Sequence, residues 1–260
     1  MDIDLDYAKK QFRRYLEDYD LNDDKIHLKV VHTFGVLGAA EEICRGEGFS
    51  EEDGRLALLI ALLHDIGRFE QLRRFNSFSD QIFNHADFGV KVLFEEGMIE
   101  RFIRERKYDE VIRKAIQYHS VYSLDAVLGL TKKERLHCQI IRDADKLDNF
   151  RVKDTEQIET LFDTAEEVVA AEVVTSAVLD AVRGRRSVVS SERVTHLDCW
   201  VSYLAFVFDL NFAASFRWIL KRNYMNRNID RMDYRRPETR AVMEEIRGIC
   251  NAYVRERAGE

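Results

Sequence analysis

The most informative segment of the chain lies at residues 56–65 and reads Leu56-Ala57-Leu58-Leu59-Ile60-Ala61-Leu62-Leu63-His64-Asp65. Eight apolar residues without a glycine or proline predict a helix that is buried on all sides. His64 and Asp65 close this helix, and an imidazole beside a carboxylate is costly to bury unless both groups are paired. A divalent cation pairs with both, so we interpret His64 and Asp65 as candidate metal ligands.

Four more residues of metal-binding type stand in predicted helices or at their ends. They are, in chain order, His32, His85, His119 and Asp145. Taken singly, each has a local explanation: His32 as a satisfied core histidine, His85 as an ordinary first residue of a helix, and Asp145 as the ion-pair partner of Arg142 or Lys146. Taken together, they favour a metal site.

The order His32, His64-Asp65, His85, His119, Asp145 resembles the motif series of the HD-domain superfamily of metal-dependent phosphohydrolases, over roughly residues 25–150. The resemblance implies that His32, His64, Asp65 and Asp145 bind one divalent ion. It also implies that Asp65, His85 and His119 bind a second. The metal would be Mn, Fe, Zn, Ni, Co or Mg, as one or two ions. Many dinuclear relatives have a second histidine directly after the position of His119, where this chain has Ser120, so the second ion is expected to be weaker or absent.

The same resemblance implies hydrolysis of a small phosphate ester, such as a nucleotide or cyclic nucleotide, by a hydroxide that is terminal on one metal or bridges two, with Asp65 as a catalytic residue. Arg68 matches the last position of the family's HDxGK or HDxGR motif and is predicted to clamp the phosphate. Lys146, next to Asp145, is a second candidate cation. For both cations the alternative is plain solvation at the surface. The segment 73–78 adds arginines and aromatic residues that suit an anionic substrate with a planar group, or that pack a loop onto the core.

Two other functions use the same residues. The first is a non-haem di-iron oxygenase, because inositol oxygenase and a phosphonate-cleaving oxygenase of this fold share the ligand order, with Lys or Arg at the position of Arg68. The second is a non-catalytic module in which the site is structural or senses a ligand. Retention of all six ligand types argues against that module, because burying ionic groups adds little to the stability of a helical core.

A single proline and 12 glycines in 260 residues leave helical periodicity almost uninterrupted, and strand patterns are nearly absent. We therefore predict an all-α fold, a compact multi-helix bundle of the HD type with additional C-terminal helices. One domain is expected over residues 1–260, with a metal-binding core at about 25–150 and a helical extension at about 155–260. Helices are predicted at 7–19, 26–45, from the N-cap Ser50 to His64, and at 84–96, 108–119, 132–147 and 165–182. The segment 68–81 is predicted to be a loop beside the site.

Charge and cysteine content limit the class of protein. The 40 basic and 47 acidic residues give a net charge of −7, without a long basic stripe, so polymeric nucleic acid is not the predicted partner. Cys44, Cys138, Cys199 and Cys250 are scattered and predicted to be reduced. The acidic N-terminus lacks a secretory pattern, and the apolar stretch 197–220 contains charged residues that disfavour a membrane span. These features predict a cytoplasmic protein that acts on a small phosphorylated substrate; they leave the oligomeric state open.

Overall fold

The computed structural model of the protein describes residues 3–78 and 83–259. These residues form α-helices, short 3-10 helices and one π-helical turn at Lys91–Glu95, and they contain no β-strand. The predicted all-α fold is confirmed.

The chain divides into two compact units, Met1–Asp145 and Lys146–Glu260. The helices that begin in the first unit are α1 (Leu5–Leu16), α2 (Asp24–Glu47), α3 (Glu51–Leu63), α4 (Ile66–Phe75), α5 (His85–Val90), α6 (Asp109–Tyr118) and α7 (Lys132–Thr155). Those of the second unit are α8 (Ile158–Phe162), α9 (Glu166–Ala171), α10 (Ser176–Arg183), α11 (His196–Leu204), α12 (Ala213–Arg222), α13 (Tyr224–Asp230) and α14 (Pro237–Ala258). The boundary falls within α7, and the expectation of a single domain over 1–260 stays a prediction.

Helix α3 lies at the centre of the first unit, as its sequence predicts. Leu56, Leu59, Leu62 and Leu63 have no exposed surface, and α3 packs extensively along α2. Ser50 caps the start of α3 by accepting a hydrogen bond from the backbone N–H of Asp53, at 3.1 Å. The apolar helix thereby carries His64 and Asp65 to the middle of the unit.

The predicted loop at 68–81 is wrong over its first half, because α4 extends through residues 66–75. Ile66, Phe69 and Leu72 recur at helical spacing and are buried, so packing offsets the cost of the polar residues between them. Asn76 ends the helix in the left-handed conformation at φ 47°. Residues 79–82 of the predicted loop lie outside the described residues.

Other helix boundaries also differ from the prediction, and the largest differences are in α7 and in the segment 165–182. Helix α7 continues to Thr155, since no glycine or proline interrupts the chain after residue 147. The predicted helix at 165–182 is divided into α9 and α10. The division lies where the backbone N–H of Thr175 donates to the Asp198 carboxylate at 2.8 Å rather than to a helical carbonyl. No described helix combines the length and apolar character needed to cross a bilayer.

Candidate metal centre

Five helices of the first unit bring the six predicted ligands together. The ligands are His32 on α2, His64 and Asp65 after α3, His85 at the start of α5, His119 after α6, and Asp145 on α7. The side chains are buried except for that of Asp145, which is 21% exposed. Residues far apart in the sequence thus form one cluster of nitrogen and oxygen donors.

One half of the cluster is formed by His32, His64, Asp65 and Asp145. The Nε2 atom of His32 lies 3.0 Å from Oδ1 of Asp145. Oδ2 of Asp65 lies 3.9 Å from Nε2 of His32 and 3.6 Å from Nε2 of His64. Donor atoms of His32, His64 and Asp145 all lie within 4.8 Å of one another, a spacing suited to shared ligation of one ion.

The other half is formed by Asp65, His85 and His119. The Nε2 atoms of the two histidines are 3.0 Å apart. Oδ1 of Asp65 lies 3.2 Å from Nε2 of His85 and 3.7 Å from Nε2 of His119. The two oxygens of Asp65 therefore face different halves of the cluster.

Hydrogen bonds to backbone carbonyls orient two of the imidazoles. Nδ1 of His64 lies 2.8 Å from the carbonyl of Ala61, and Nδ1 of His119 lies 2.6 Å from that of Ile116. A carbonyl only accepts, so each Nδ1 carries a proton and each ring turns its Nε2 into the cluster.

The donor set fits a divalent cation. Nε2 of His64 is buried and has no hydrogen-bond partner among the residues that the structure describes. Leaving such an acceptor unsatisfied costs about 1–3 kcal/mol, which coordination of an ion would remove. The assignment of the six residues as ligands stays a prediction.

Burial and nearby charge shift the pKa values at the centre. Burial lowers the pKa of His64 to about 4, which favours the neutral imidazole that a metal requires. Burial opposes ionisation of Asp65, but Lys29 and the neighbouring histidines outweigh it and hold the pKa well below its usual range. The hydrogen bond and charge of His32 likewise outweigh burial and lower the pKa of Asp145. Both carboxylates are thereby kept ionised.

Two cations reach Asp65. Lys29 Nζ lies 2.5 Å from Oδ2, and Nε of Arg68 lies 3.9 Å from Oδ1. The sequence analysis missed Lys29, although its position three residues before His32 places both side chains on one face of α2. Arg68 was predicted to lie at the site, and the structure brings it there.

Lys146, the second predicted cation, has an ion-pair partner in the second unit. Its Nζ lies 2.9 Å from Oδ2 of Asp209 and 5.7 Å from the ring centre of Phe206. The Asp145 carboxylate pairs with His32 on α2. A role for Lys146 in phosphate binding stays a prediction.

Arg142 supports the centre from α7. It is buried, and its NH1 group donates to the carbonyls of Tyr118 and His119 at 3.2 Å and of Val121 at 2.5 Å. The carbonyls of Tyr118 and His119 lie at the C-terminal end of α6, where the helix itself supplies no donors, so the guanidinium caps that helix. The cap fixes His119 relative to Asp145, which follows Arg142 by three residues on α7.

A close crossing of two backbones sets the distance between Asp65 and His85. A Cβ atom added at Gly67 of α4 would collide with the carbonyl oxygen of His85 and lie 2.6 Å from the backbone nitrogen of Gly89. Only glycine allows this approach of α4 to α5. The crossing lies between Asp65 and Arg68 in sequence, and thus at the centre itself.

The remaining histidines have partners elsewhere or face solvent. Nε2 of His137 lies 3.2 Å from Oδ1 of Asp53, and Nδ1 of His196 lies 2.8 Å from Oε1 of Glu172. His27 is exposed.

Comparison with known proteins identifies one family: residues 30–149 match the family model described as HD domain. This range contains His32, Asp145 and the four predicted ligands between them. Neither the curated proteins nor the solved structures compared with the chain gave a match.

Proposed function

Since residues 30–149 make this chain a member of the HD-domain superfamily of metal-dependent hydrolases, we propose that it is a phosphohydrolase that cleaves a small phosphate ester. The observation that carries the proposal is the buried cluster of two carboxylates and four imidazoles, with the cations Lys29 and Arg68 beside it. A donor set of this kind, bordered by positive charge, suits metal-assisted attack on an anionic substrate.

His32, His64, Asp65 and Asp145 would hold the first ion, and Asp65, His85 and His119 form a second donor set. A bound divalent ion supplies Lewis-acid chemistry, since it lowers the pKa of water by several units from about 15.7 and draws charge from a phosphoryl oxygen. The carbonyls of Ala61 and Ile116 keep two imidazoles oriented toward the reacting centre. The apolar side chains of α3 exclude water from the side of the centre that this helix covers.

Lys29 and Arg68 provide fixed positive charge. Arg68 is buried, and its NH1 group donates to Oε1 of Gln71 at 2.5 Å and to the carbonyl of Phe78 at 2.9 Å. These bonds hold the guanidinium in place before substrate arrives, which avoids reorganisation when negative charge develops on phosphorus oxygens. Arg68 therefore acts by its charge at a fixed position.

The surroundings of Phe78 support a substrate that is anionic and carries a planar group, such as a nucleotide or cyclic nucleotide. Lys25 and Lys29 lie 6.0 and 5.9 Å from the centre of the Phe78 ring. An aromatic ring near two ammonium groups suits a base or sugar attached to phosphate. Arg73 and Arg74 give less support to this class of substrate, because the charge of both is already paired with the buried Glu70.

The net charge of −7 supports a small substrate rather than a nucleic acid polymer. Cys44, Cys138, Cys199 and Cys250 are all free thiols. Free thiols in this number support a reducing compartment, and we assign the protein to the cytoplasm on that ground.

The test is metal analysis of protein purified without added metal, combined with a panel of phosphate esters assayed with and without oxygen. We expect a divalent metal at the centre and release of inorganic phosphate that is independent of oxygen. The second half of the cluster also suits a di-iron oxygenase. If the protein contains iron and consumes oxygen when substrate is added, the oxygenase is the correct function and hydrolysis is not. If metal-loaded protein shows neither activity, the proposal that the protein is an enzyme is wrong.

A further inference from the structure

The second half of the cluster brings three groups of metal-ligand type together. Oδ1 of Asp65 belongs to a carboxylate, and Nδ1 of His119 donates to the carbonyl of Ile116. Nε2 of His85 faces Nε2 of His119 at 3.0 Å and Oδ1 of Asp65 at 3.2 Å. Nitrogen and oxygen atoms of this kind at such short distances suit a cation among them.

Arg68 supplies such a cation. Its NH2 group lies 3.0 Å from Nε2 of His85. A guanidinium donates and never accepts, so the lone pair of His85 Nε2 receives this hydrogen bond. An imidazole nitrogen has one lone pair and cannot accept this bond and coordinate a metal at the same time.

The guanidinium is held at this position from two directions. Gln71 accepts from NH1 of Arg68 and donates through its own Nε2 to the carbonyl of Phe83, at 2.8 Å. The carbonyl of Phe78 accepts a further bond from NH1, at 2.9 Å. Gln71 is fully buried, so the arrangement does not depend on a flexible surface side chain. Displacing Arg68 would break several bonds to a charged donor.

We propose that the Arg68 guanidinium is the resident cation of the second donor set, and that it and a second metal ion exclude each other at Nε2 of His85. The centre then holds one ion tightly, on His32, His64, Asp65 and Asp145, and Arg68 takes the place of the other. This inference rests on the metal binding assumed in the proposed function, but not on hydrolysis.

The test compares the wild type with Arg68→Met, which keeps an unbranched side chain and removes the charge and the donors. Titration calorimetry with Mn²⁺ and elemental analysis give the number of ions bound. We expect one tightly bound ion in the wild type and two in Arg68→Met, with the affinity for the second ion raised on the order of 100-fold. Arg74→Met is the matched control: Arg74 lies on the same helix, pairs with Glu70, and should leave the count at one.

Adding His85→Gln to Arg68→Met should return the count to one, since it removes the ligand that Arg68 had occupied. Exchange coupling between two Mn²⁺ ions, seen by electron paramagnetic resonance, should appear in Arg68→Met only. Nitrogen-15 NMR of histidine in the wild type gives a result that needs no variant, with the His85 Nε2 resonance remaining unshifted when one equivalent of Zn²⁺ is bound.

Wild-type protein that binds two ions with affinities within about tenfold of each other would overturn the proposal. So would direct coordination of His85 in the NMR experiment, or a folded Arg68→Met that binds one ion. If phosphate esters are not hydrolysed but the ion counts follow expectation, the proposed function fails and the exclusion between Arg68 and metal stands.

Discussion

At the scale of single residues, the centre depends on the two oxygens of one carboxylate. Asp65 Oδ2 and Oδ1 together face six side chains: Lys29, Arg68, His32, His64, His85 and His119. Its backbone also begins α4, so the carboxylate is fixed by the turn between two buried helices. A change at Asp65 therefore affects both halves of the cluster.

Asp65→Asn should abolish turnover while the protein stays folded. The amide has the shape of the carboxylate but lacks the charge that binds an ion, so we expect kcat/KM to fall on the order of 10³ or more and bound metal to be lost. Activity, metal content and far-ultraviolet circular dichroism are the measurements. Asp163→Asn is the control, because Asp163 is exposed and its left-handed backbone suits asparagine. Parental activity in Asp65→Asn would exclude catalysis at this centre.

His64 should make the metal-free protein less stable as the pH falls from 6.5 toward 4. In the unfolded chain His64 gains a proton near pH 6.5, whereas in the folded protein burial lowers its pKa to about 4. The unfolded state thus binds more protons in this window, and about 3 kcal/mol is lost on crossing it. Above pH 6.5 there is no such loss of stability, because His64 is unprotonated in both the folded and the unfolded state. The lowered pKa values of Asp65 and Asp145 change the stability only below pH 3.8, the ordinary pKa of an aspartate, and thus below this window.

Chemical denaturation of metal-free protein at several pH values measures this effect. The slope of unfolding free energy against pH should be flatter in His64→Met and unchanged in His27→Gln, since His27 is exposed. Equal slopes in His64→Met and wild type would assign the acid sensitivity to other groups.

At the scale of helices, the sequence predicts the elements that carry their own signals. The unbroken apolar run of α3 and the caps Ser50 and Asn84 indicate helices by local rules. Helix α4 was missed, because its helical spacing is interrupted by the buried polar residues Arg68 and Gln71. Their partners His85 and Phe83 lie more than ten residues further along the sequence. Local patterns carry no information on such partners.

The same limit applies within the candidate site. A known motif order pointed to the six predicted ligands and Arg68, but Arg142 was considered only as a neighbour of Asp145. Its partners include the terminal carbonyls of α6, more than twenty residues earlier. Lys146 shows the converse, since adjacency to Asp145 in sequence does not exclude a separate partner, Asp209.

Arg142→Leu should destabilise the protein by about 2–4 kcal/mol, because the carbonyls at the end of α6 lose their donors inside the first unit. Urea denaturation measures the loss. Arg135→Leu, also on α7, is the control, because Arg135 forms a long ion pair of 3.5 Å with the exposed Asp125. Similar stabilities of the two variants would indicate that water replaces the cap without cost.

At the scale of the whole molecule, all six predicted ligands belong to one of the two units. They fall within Met1–Asp145, and none comes from Lys146–Glu260. An ion that binds only the folded first unit stabilises that unit by mass action, by about 2.7 kcal/mol at a hundred times its Kd.

Removal of metal should therefore have unequal effects along the chain. We expect chelation to increase amide hydrogen exchange in α3, α6 and the first half of α7, with smaller changes in α10 and α14. Mass spectrometry of peptides from metal-loaded and chelated protein measures this. Equal changes throughout the chain would mean that the two units unfold together.

The crossing of α4 and α5 at Gly67 bears on which substitutions the protein tolerates. Gly67 binds nothing, yet an alanine there would push His85 away from Asp65, at a cost of at least about 1–3 kcal/mol. In a library of all single substitutions, position 67 should be as depleted under selection for activity as Asp65, and Gly54, whose added Cβ would meet open space, should vary freely. Enrichment of larger residues at 67 would show that α5 can move without loss of activity. Gly67, which is not one of the predicted ligands, thus constrains evolutionary change in the second half of the centre.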